Sequence, residues 1–220
     1  DTMKTNYEKI SKNIVTITNG YDTFRTEESF KLDEKFSLTH IGLMNSDRNP
    51  AILWEVLSDI CKGNELFKND LLIKLVGSVD NSVKQLITKY DLSNNVNYIS
   101  YLPHNEVLKF QKNSQILLLA VNNVPSAKGI ITGKIFEYLN AKRPILAIAP
   151  LDGDLAKIIH NTNAGFVVDF NNRALLKKNI LDLYQLYKKG SLKVNSNNID
   201  QYHRKELTKK MSELIFSLAK

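Results

Sequence analysis

Cysteine occurs once in the 220 residues, at Cys61, so no disulfide can close within the chain and a reducing, cytosolic setting is expected. That thiol lies in an apolar helical stretch and reads as packing. No apolar run approaches the ~20 residues that a membrane-spanning helix needs. The opening "DTMKTNYEKISKN" carries neither the apolar core of a secretory signal nor an initiator methionine, so a piece of a longer protein is expected. The four histidines are scattered, without a His, Cys or carboxylate cluster, and no metal is expected. Zinc-ligand spacing, an aromatic RNA-binding signature and a dense basic helix are all missing, which argues against a nucleic-acid partner. Two phosphate motifs are missing as well. "GIITGKI", Gly129 to Ile135, has three residues between its glycines and Ile after its lysine, where the Walker loop needs four and a Ser or Thr. No GxGxxG follows the first expected strand, which argues against a standard dinucleotide site.

What is present fits a globular chain with its own core: 43% of residues are hydrophobic and the length allows one large domain or two small ones. The net charge of +7 points to anionic partners, whether nucleotides, nucleic acid or an anionic membrane face, although the lysines are spread along the chain.

Strand and helix patterns alternate from Phe36 onward. "FSLTHIGLM", "DLLIKLVGS", "NVNYISYL", "SQILLLAV", "RPILAIAP" and "AGFVVDF" read as six strands. Those in the middle are apolar runs without alternation, as in sheets covered on both faces. Helical periodicity fills the gaps, with Pro50 opening one helix and Asp152 or Asp154 expected to cap another. "NIVTITNGYD" is a further short strand-like run ended by a turn, and two helices are expected after Arg173. The pattern predicts an α/β fold, a doubly wound parallel sheet in the order 3-2-1-4-5-6. Ligands of such sheets bind beyond the carboxyl ends of the strands, here at "GLMNSDR", "GS", "YLPH" and "NNVPSAKG".

The stretch "VPSAKGIITGKIFEYLNAKRPILAIAP" starts a helix near Thr132 or Gly133 and so places Lys134 in the first turn. The macrodipole disfavours a cation there. One explanation is a surface ion pair with Glu137, three residues on, worth about 0.3 kcal/mol. The other is a bound anion, held by Lys134 and the free N–H groups of Thr132, Gly133 and Lys134. Glu137, one turn deeper, is then placed to accept from sugar hydroxyls, and Gly133 lets the backbone approach the ligand.

"GKIFEYLNAKRPILAIAPLDGDLAKIIHNTNAGFVV", "TITNGYDTFRTEESF" and "THIGLMNSDRNPAILWEVL" together resemble the nucleotide-sugar-binding domain of GT-B-fold retaining glycosyltransferases, family four (glycosyl transferases group 1). The resemblance covers most of the chain from about Ile14. It implies a Rossmann-like doubly wound parallel six-stranded sheet with a C-terminal helical tail, one half of a GT-B fold. Residues 1–35 would be the hinge and post-hinge segment, 36–172 the donor-binding domain, and 173–220 the helices completing it. Lys134 matches the family's diphosphate-binding lysine, and Glu137 the second Glu of its Glu-x7-Glu motif, which holds ribose hydroxyls. The first Glu of that motif falls on Gly129, so its role at the donor sugar is unfilled. The resemblance implies that Gly42 lets the first loop approach the donor, that Arg48 is a second diphosphate contact, and that Leu102 meets the base through its backbone. Arg48 and Lys134 would stabilise the leaving diphosphate.

The implied function is binding the activated sugar for transfer to a glycan or lipid-linked acceptor in bacterial polysaccharide biosynthesis, with no cofactor and no required metal. The implied location is cytoplasmic, with peripheral contact at the inner face of the plasma membrane. The implied partners are a nucleotide-sugar donor and an N-terminal domain of the same protein, without which little or no transfer is expected. Two alternatives stay open, a nucleotide-sugar 2-epimerase of related build and a non-catalytic interaction module. His104 reads as a helix-start residue, His40 as a satisfied core residue, and Trp54 as core. "YHRKELTKK" reads as a solvated helix face. In the tail, Leu207, Met211, Leu214, Ile215 and Leu218 form an apolar stripe expected either to dock on the domain's own sheet or to self-associate.

Overall fold

The computed structural model describes residues 7, 14–22 and 30–218; "TFRTEES" of the post-hinge segment and nearly all of the first thirteen residues lie outside these. Six parallel strands form one sheet in the order β3-β2-β1-β4-β5-β6, as the sequence pattern predicts. They are β1 (Phe36–Ile41), β2 (Leu71–Val76), β3 (Val96–Ile99), β4 (Ile116–Ala120), β5 (Ile145–Ile148) and β6 (Gly165–Val168). Every residue of β1, β4 and β5 is buried, which is why β4 and β5 carry apolar side chains on both faces, while β1 also buries Ser37, Thr39 and His40.

Helices cover the two faces. On one, α1 (Ala51–Gly63) packs with α3 (Asn81–Lys89) and α7 (Arg173–Lys188) around Phe36, Trp54, Phe67 and Tyr184. The short α2 (Glu65–Asp70), which the sequence pattern leaves out, contributes Phe67 and is started by the Asn64 side chain accepting from the Phe67 amide. On the other face, α5 (Lys134–Ala141) and α6 (Asp154–Asn161) bury Ile135, Phe136, Tyr138, Leu155 and Ile159. Helix α4 (His104–Asn113) lies beside α5, and α8 (Arg204–Leu218) ends the described chain.

Three expectations need correction. Residues 14–20 form no strand; only Tyr21 pairs, in an isolated bridge with His203. Strand propensity has no ladder to join there, since the segment pairs with no strand of the sheet. Neither Asp152 nor Asp154 caps α6: Gly153 holds that position, Asp154 is the first helical residue, and the Asp152 carboxylate instead accepts from Lys128 at 2.6 Å. The tail stripe does not dock on the sheet, since α8 has no buried residue.

The switch point between β1 and β4 prepares the site. Main-chain pairing there covers only Leu38 with Ile116 and Thr39 with Leu117. Beyond it side chains replace the ladder. The Ile41 amide donates to the Tyr138 hydroxyl at 3.3 Å, that hydroxyl reaches the Leu118 carbonyl at 3.5 Å, and His40 Nδ1 lies 3.3 Å from the same carbonyl. The two strands are thus held at their carboxyl ends by His40 and Tyr138, under the crevice where this class of sheet receives ligands.

Candidate functional site

The first loop leaves β1 through Gly42, whose φ of +105° is a conformation that side-chain-bearing residues rarely adopt. Gly77, at φ +107°, packs its backbone against Gly42, so both loops need glycine for the same close approach. A Cβ on Gly42 would lie 2.7 Å from Lys134 Cε and 3.1 Å from its Nζ. The long side chain of Lys134 therefore runs from the start of α5 across to the β1 loop, over the switch point.

Its ammonium has no ion pair among the described residues, and the surface pair with Glu137 that spacing alone allows does not form. Burial and, after it, the nearby Arg48 guanidinium lower the Lys134 pKa to about 8, against a smaller opposite pull from Glu137. A half-buried cation without a counter-ion, beside a second cation, is an arrangement that a bound anion would relieve.

Arg48 sits in a one-turn 3₁₀ helix, Ser46–Arg48, started by the Asn45 side chain. Its Nε donates to Asn122 Oδ1 at 3.1 Å and one Nη to the Leu43 carbonyl at 3.1 Å. Both partners are neutral, so they aim the guanidinium without cancelling its charge. Arg48 also lines a cavity of about 390 Å³ with Asp47, Asn49, Asn123 and Arg173 at the carboxyl ends of β4 and β5. Arg173 is engaged there by Glu55 and Asp59.

At the start of α5, the N–H groups of Thr132, Gly133 and Lys134 find no acceptor among the described residues, and the buried Thr132 hydroxyl has no partner either. Four donors thus surround the foot of the Lys134 side chain. Glu137 points away from Lys134 and accepts at Oε2 from Gln111 Nε2 of α4, at 2.8 Å. It lines a small cavity of about 70 Å³ with His104, Asn140, Asp22 and Arg204.

The structure thus brings Gly42, Arg48, Thr132, Gly133, Lys134 and Glu137 to the carboxyl edge at β1 and β4. Gly129 closes the 3₁₀ turn Ala127–Gly129 and lines a separate cleft of about 650 Å³ with Gly133, Asn19 and Lys157. Leu102 lies on the loop between β3 and α4, two strands from β1. His104 is the first residue of α4, as its position suggested. Trp54 is fully buried and donates its indole N–H to Asn49 at 2.8 Å. Cys61 is buried, its thiol pushed up to about 11 by desolvation. No three His, Cys, Asp or Glu side chains gather as a metal site among the described residues.

Two site residues escape sequence reasoning. His40 is 1% exposed, and among the described residues its Nε2 makes no regular hydrogen bond, although the Leu43 backbone lies beside the ring. Burial and the nearby Lys134 lower its pKa to about 3, so it is neutral beneath the two cations. Gln111 is the other. Its signal was a polar residue three positions after Leu108, on the buried face of an amphipathic helix.

The comparisons with known proteins bear on the fold and the family. Compared by sequence with curated proteins, the chain matches none of them. Among solved structures, it superposes on a glycosyltransferase from Rickettsia africae with a TM-score of 0.72 at 19% identity, covering 99% of this chain and 62% of that one. The pneumococcal O-GlcNAc transferase GtfA, solved with UDP and GlcNAc, gives a TM-score of 0.68 at 14% identity over 99% of this chain and 43% of that one. A mutant of TarM from S. aureus, solved in a complex that includes UDP, gives 0.67 at 18% over 97% and 42%. The chain spans about half the length of these proteins, and at such identities the likeness speaks for the fold. The family model described as glycosyl transferases group 1 matches residues 22–206, which is most of the chain. The chain therefore belongs to the glycosyl transferases group 1 family.

Proposed function

We propose that this chain is the donor-binding half of a glycosyltransferase, holding a nucleoside-diphosphate sugar whose sugar passes to a glycan or lipid-linked acceptor in bacterial polysaccharide biosynthesis. The observation that carries the reading is Lys134: a half-buried ammonium, lying against Gly42 and beside Arg48, with no carboxylate paired to it among the described residues. The diphosphate lies between Lys134 and Arg48, against the open N–H groups at the start of α5. Glu137 takes the ribose hydroxyls, and the backbone near Leu102 meets the base.

As the glycosidic bond breaks, negative charge grows on the diphosphate, and fixed cations aimed at it lower the barrier. Two cations and a helix start supply that charge from the protein itself, so transfer is proposed to need no metal. UDP in the related structures supports a nucleotide-sugar donor. The edge carrying the site is open in this domain, so a second domain is proposed to close over it and exclude water. The 220-residue chain alone is then expected to bind donor modestly and to transfer no sugar. The net charge of +7 supports work at an anionic cytoplasmic membrane face.

Titration calorimetry of the chain with UDP and GDP tests this, with and without EDTA. Lys134→Ala is expected to cost about 1.5–3 kcal/mol of affinity, the range for a hydrogen bond to a charged group, with the fold unchanged by circular dichroism. Unchanged affinity for the nucleotide that binds, or sugar transfer by the isolated chain to a defined acceptor, removes the reading.

A further inference from the structure

Glu137 and Lys134 stand three residues apart on one helix face, a spacing at which opposite charges normally meet. They do not meet here. Lys134 reaches to Gly42, and Glu137 turns the other way, to the amide of Gln111 at 2.8 Å. We propose that Gln111 is a positioning residue that holds Glu137 away from Lys134, so that the site keeps a free carboxylate for a diol and a free ammonium for a diphosphate. The inference rests on the nucleotide-sugar reading above and adds a residue that no part of that reading uses.

Three observations carry it. First, Gln111 is 1% exposed, in the seam between α4 and α5, where an apolar side chain would pack at lower cost. Second, its own Oε1 is buried without a partner, so the amide is a net burden on folding. What the chain gains in return is the single hydrogen bond from Nε2 to Glu137. Third, the donor is neutral. A lysine or arginine at this place would pin Glu137 equally well but cancel its charge. An amide orients the carboxylate without neutralising it, and among the described residues Oε1 of Glu137 has no hydrogen-bond donor. The amide assignment follows from chemistry, since the reverse orientation would set a carbonyl oxygen against a carboxylate.

The charged groups around this pair are few. Arg48 approaches Lys134 from the first loop, and His40 lies beneath it on β1, neutral. Asp22, Arg204 and His104 share the small cavity with Glu137, and Asp22 is itself taken by Arg204 at 2.9 Å. Gln111 is the side chain of the neighbouring helix that donates a hydrogen bond to Glu137, on the side away from Lys134.

Gln111→Met keeps the length and bulk of the side chain and removes its donor. The test follows Lys134 by NMR of labelled lysine side chains across pH, and follows binding of UDP and GDP beside their 2′,3′-dideoxy counterparts. With the donor gone, Glu137 is expected to swing onto Lys134. The Lys134 titration midpoint then rises toward that of an ordinary lysine. Affinity for the ribonucleotide that binds falls about tenfold, the loss expected when one charge-assisted contact goes. The preference for ribo- over dideoxynucleotide disappears, and adding Glu137→Gln causes no further loss. Thermal stability holds or rises, because the orphaned acceptor has gone too.

An unchanged Lys134 midpoint with an unchanged ribose preference overturns the proposal. So does a loss of affinity that merely tracks a loss of stability. The titration of Lys134 needs no ligand, so the two readings fail separately. A shifted midpoint in a protein that binds no nucleotide removes the nucleotide reading and keeps the positioning role. An unchanged midpoint in a protein whose nucleotide binding depends on Lys134 removes the positioning role alone.

Discussion

At the scale of single residues, the site is defined by charges kept from pairing, and this gives it a pH dependence with a definite sign. Lys134 titrates near pH 8 in the free protein, against 10.5 for an ordinary lysine, because burial and Arg48 disfavour its charge. A bound diphosphate favours that charge and raises the pKa. Binding is therefore expected at full strength below about pH 8 and to weaken steadily above it, as the free protein must first take up a proton. Calorimetry from pH 6.5 to 9.5 should show that decline in the wild type and its absence in Lys134→Arg, whose guanidinium stays charged. A flat wild-type profile would mean that Lys134 does not meet the anion. Folding follows the same linkage: the unfolded chain holds more protons on this lysine between pH 8 and 10.5, so the penalty on its burial is relieved as pH rises through that window. Lys134 and Glu137 were legible in the sequence because a lysine in a first turn breaks a local rule. His40 and Gln111 were not. Each sits where an apolar residue is ordinary, and only the polar atoms without a regular hydrogen bond in the folded state reveal that they are more than core.

At the scale of elements, α5 does two things at once: its first turn carries the site, and its opposite flank is tied to the segment entering the domain and the helix leaving it. The Tyr21 amide donates to the Tyr202 carbonyl at 3.0 Å, and the Arg204 amide to the Tyr21 carbonyl at 2.9 Å. Asn140 of α5 donates to the Asp22 carbonyl at 3.3 Å, and Phe136 and Tyr202 pack with ring centroids 5.4 Å apart. Residues 20–22, the start of α8 and helix α5 thus form one braced unit. Gly20 is where it is tightest, since an added Cβ would lie 2.3 Å from the Tyr202 carbonyl oxygen and 2.6 Å from Leu207 Cδ1. Gly20→Ala is expected to push the two chain crossings apart at a cost of about 1–3 kcal/mol, as other overpacked contacts do. Hydrogen exchange checks it: the amides of Tyr21 and Arg204 should lose protection while β1 and β4 keep theirs, and equal protection throughout would show that the brace has slack. This tie was invisible in the sequence, where "NIVTITNGYD" looked like a strand in its own right. Alternation and β-branching report a liking for extended backbone, and only tertiary contacts decide what that backbone pairs with. The strands β4 and β5 were the most legible, because burial on both faces leaves continuous apolar runs. The cap of α6 was misread because two aspartates flank a glycine, and Lys128 competes for Asp152.

At the scale of the whole molecule, helix α8 stands out because none of its residues is buried. Helix α8 meets the rest through Arg204, bonded to the Tyr21 carbonyl and paired with Asp22, through Leu207 against Gly20, and through Lys210, which donates to the Thr16 carbonyl at 3.4 Å. Beyond that turn it projects, with Met211 45%, Ile215 57%, Phe216 69% and Leu218 79% exposed. Scattered apolar residues on a surface are ordinary, but four within eight positions of one helix form a continuous patch. Of the two fates the sequence allowed for this stripe, docking on the domain's own sheet does not occur, which leaves its burial to another molecule or to another part of the full protein. For the 220-residue chain in isolation the available cover is a second copy. Self-association is then expected at high concentration, and more strongly as salt screens the net charge of +7. Sedimentation velocity across a concentration series, at low and high salt, measures this directly. Ile215→Lys with Phe216→Lys should hold the chain monomeric throughout while leaving nucleotide binding intact, since neither residue lines the site. A wild type that stays monomeric at every concentration and salt would show that the patch is tolerated in water. Monomers that form only in the double variant would place the association on α8, and so mark this helix as the face that a larger assembly covers.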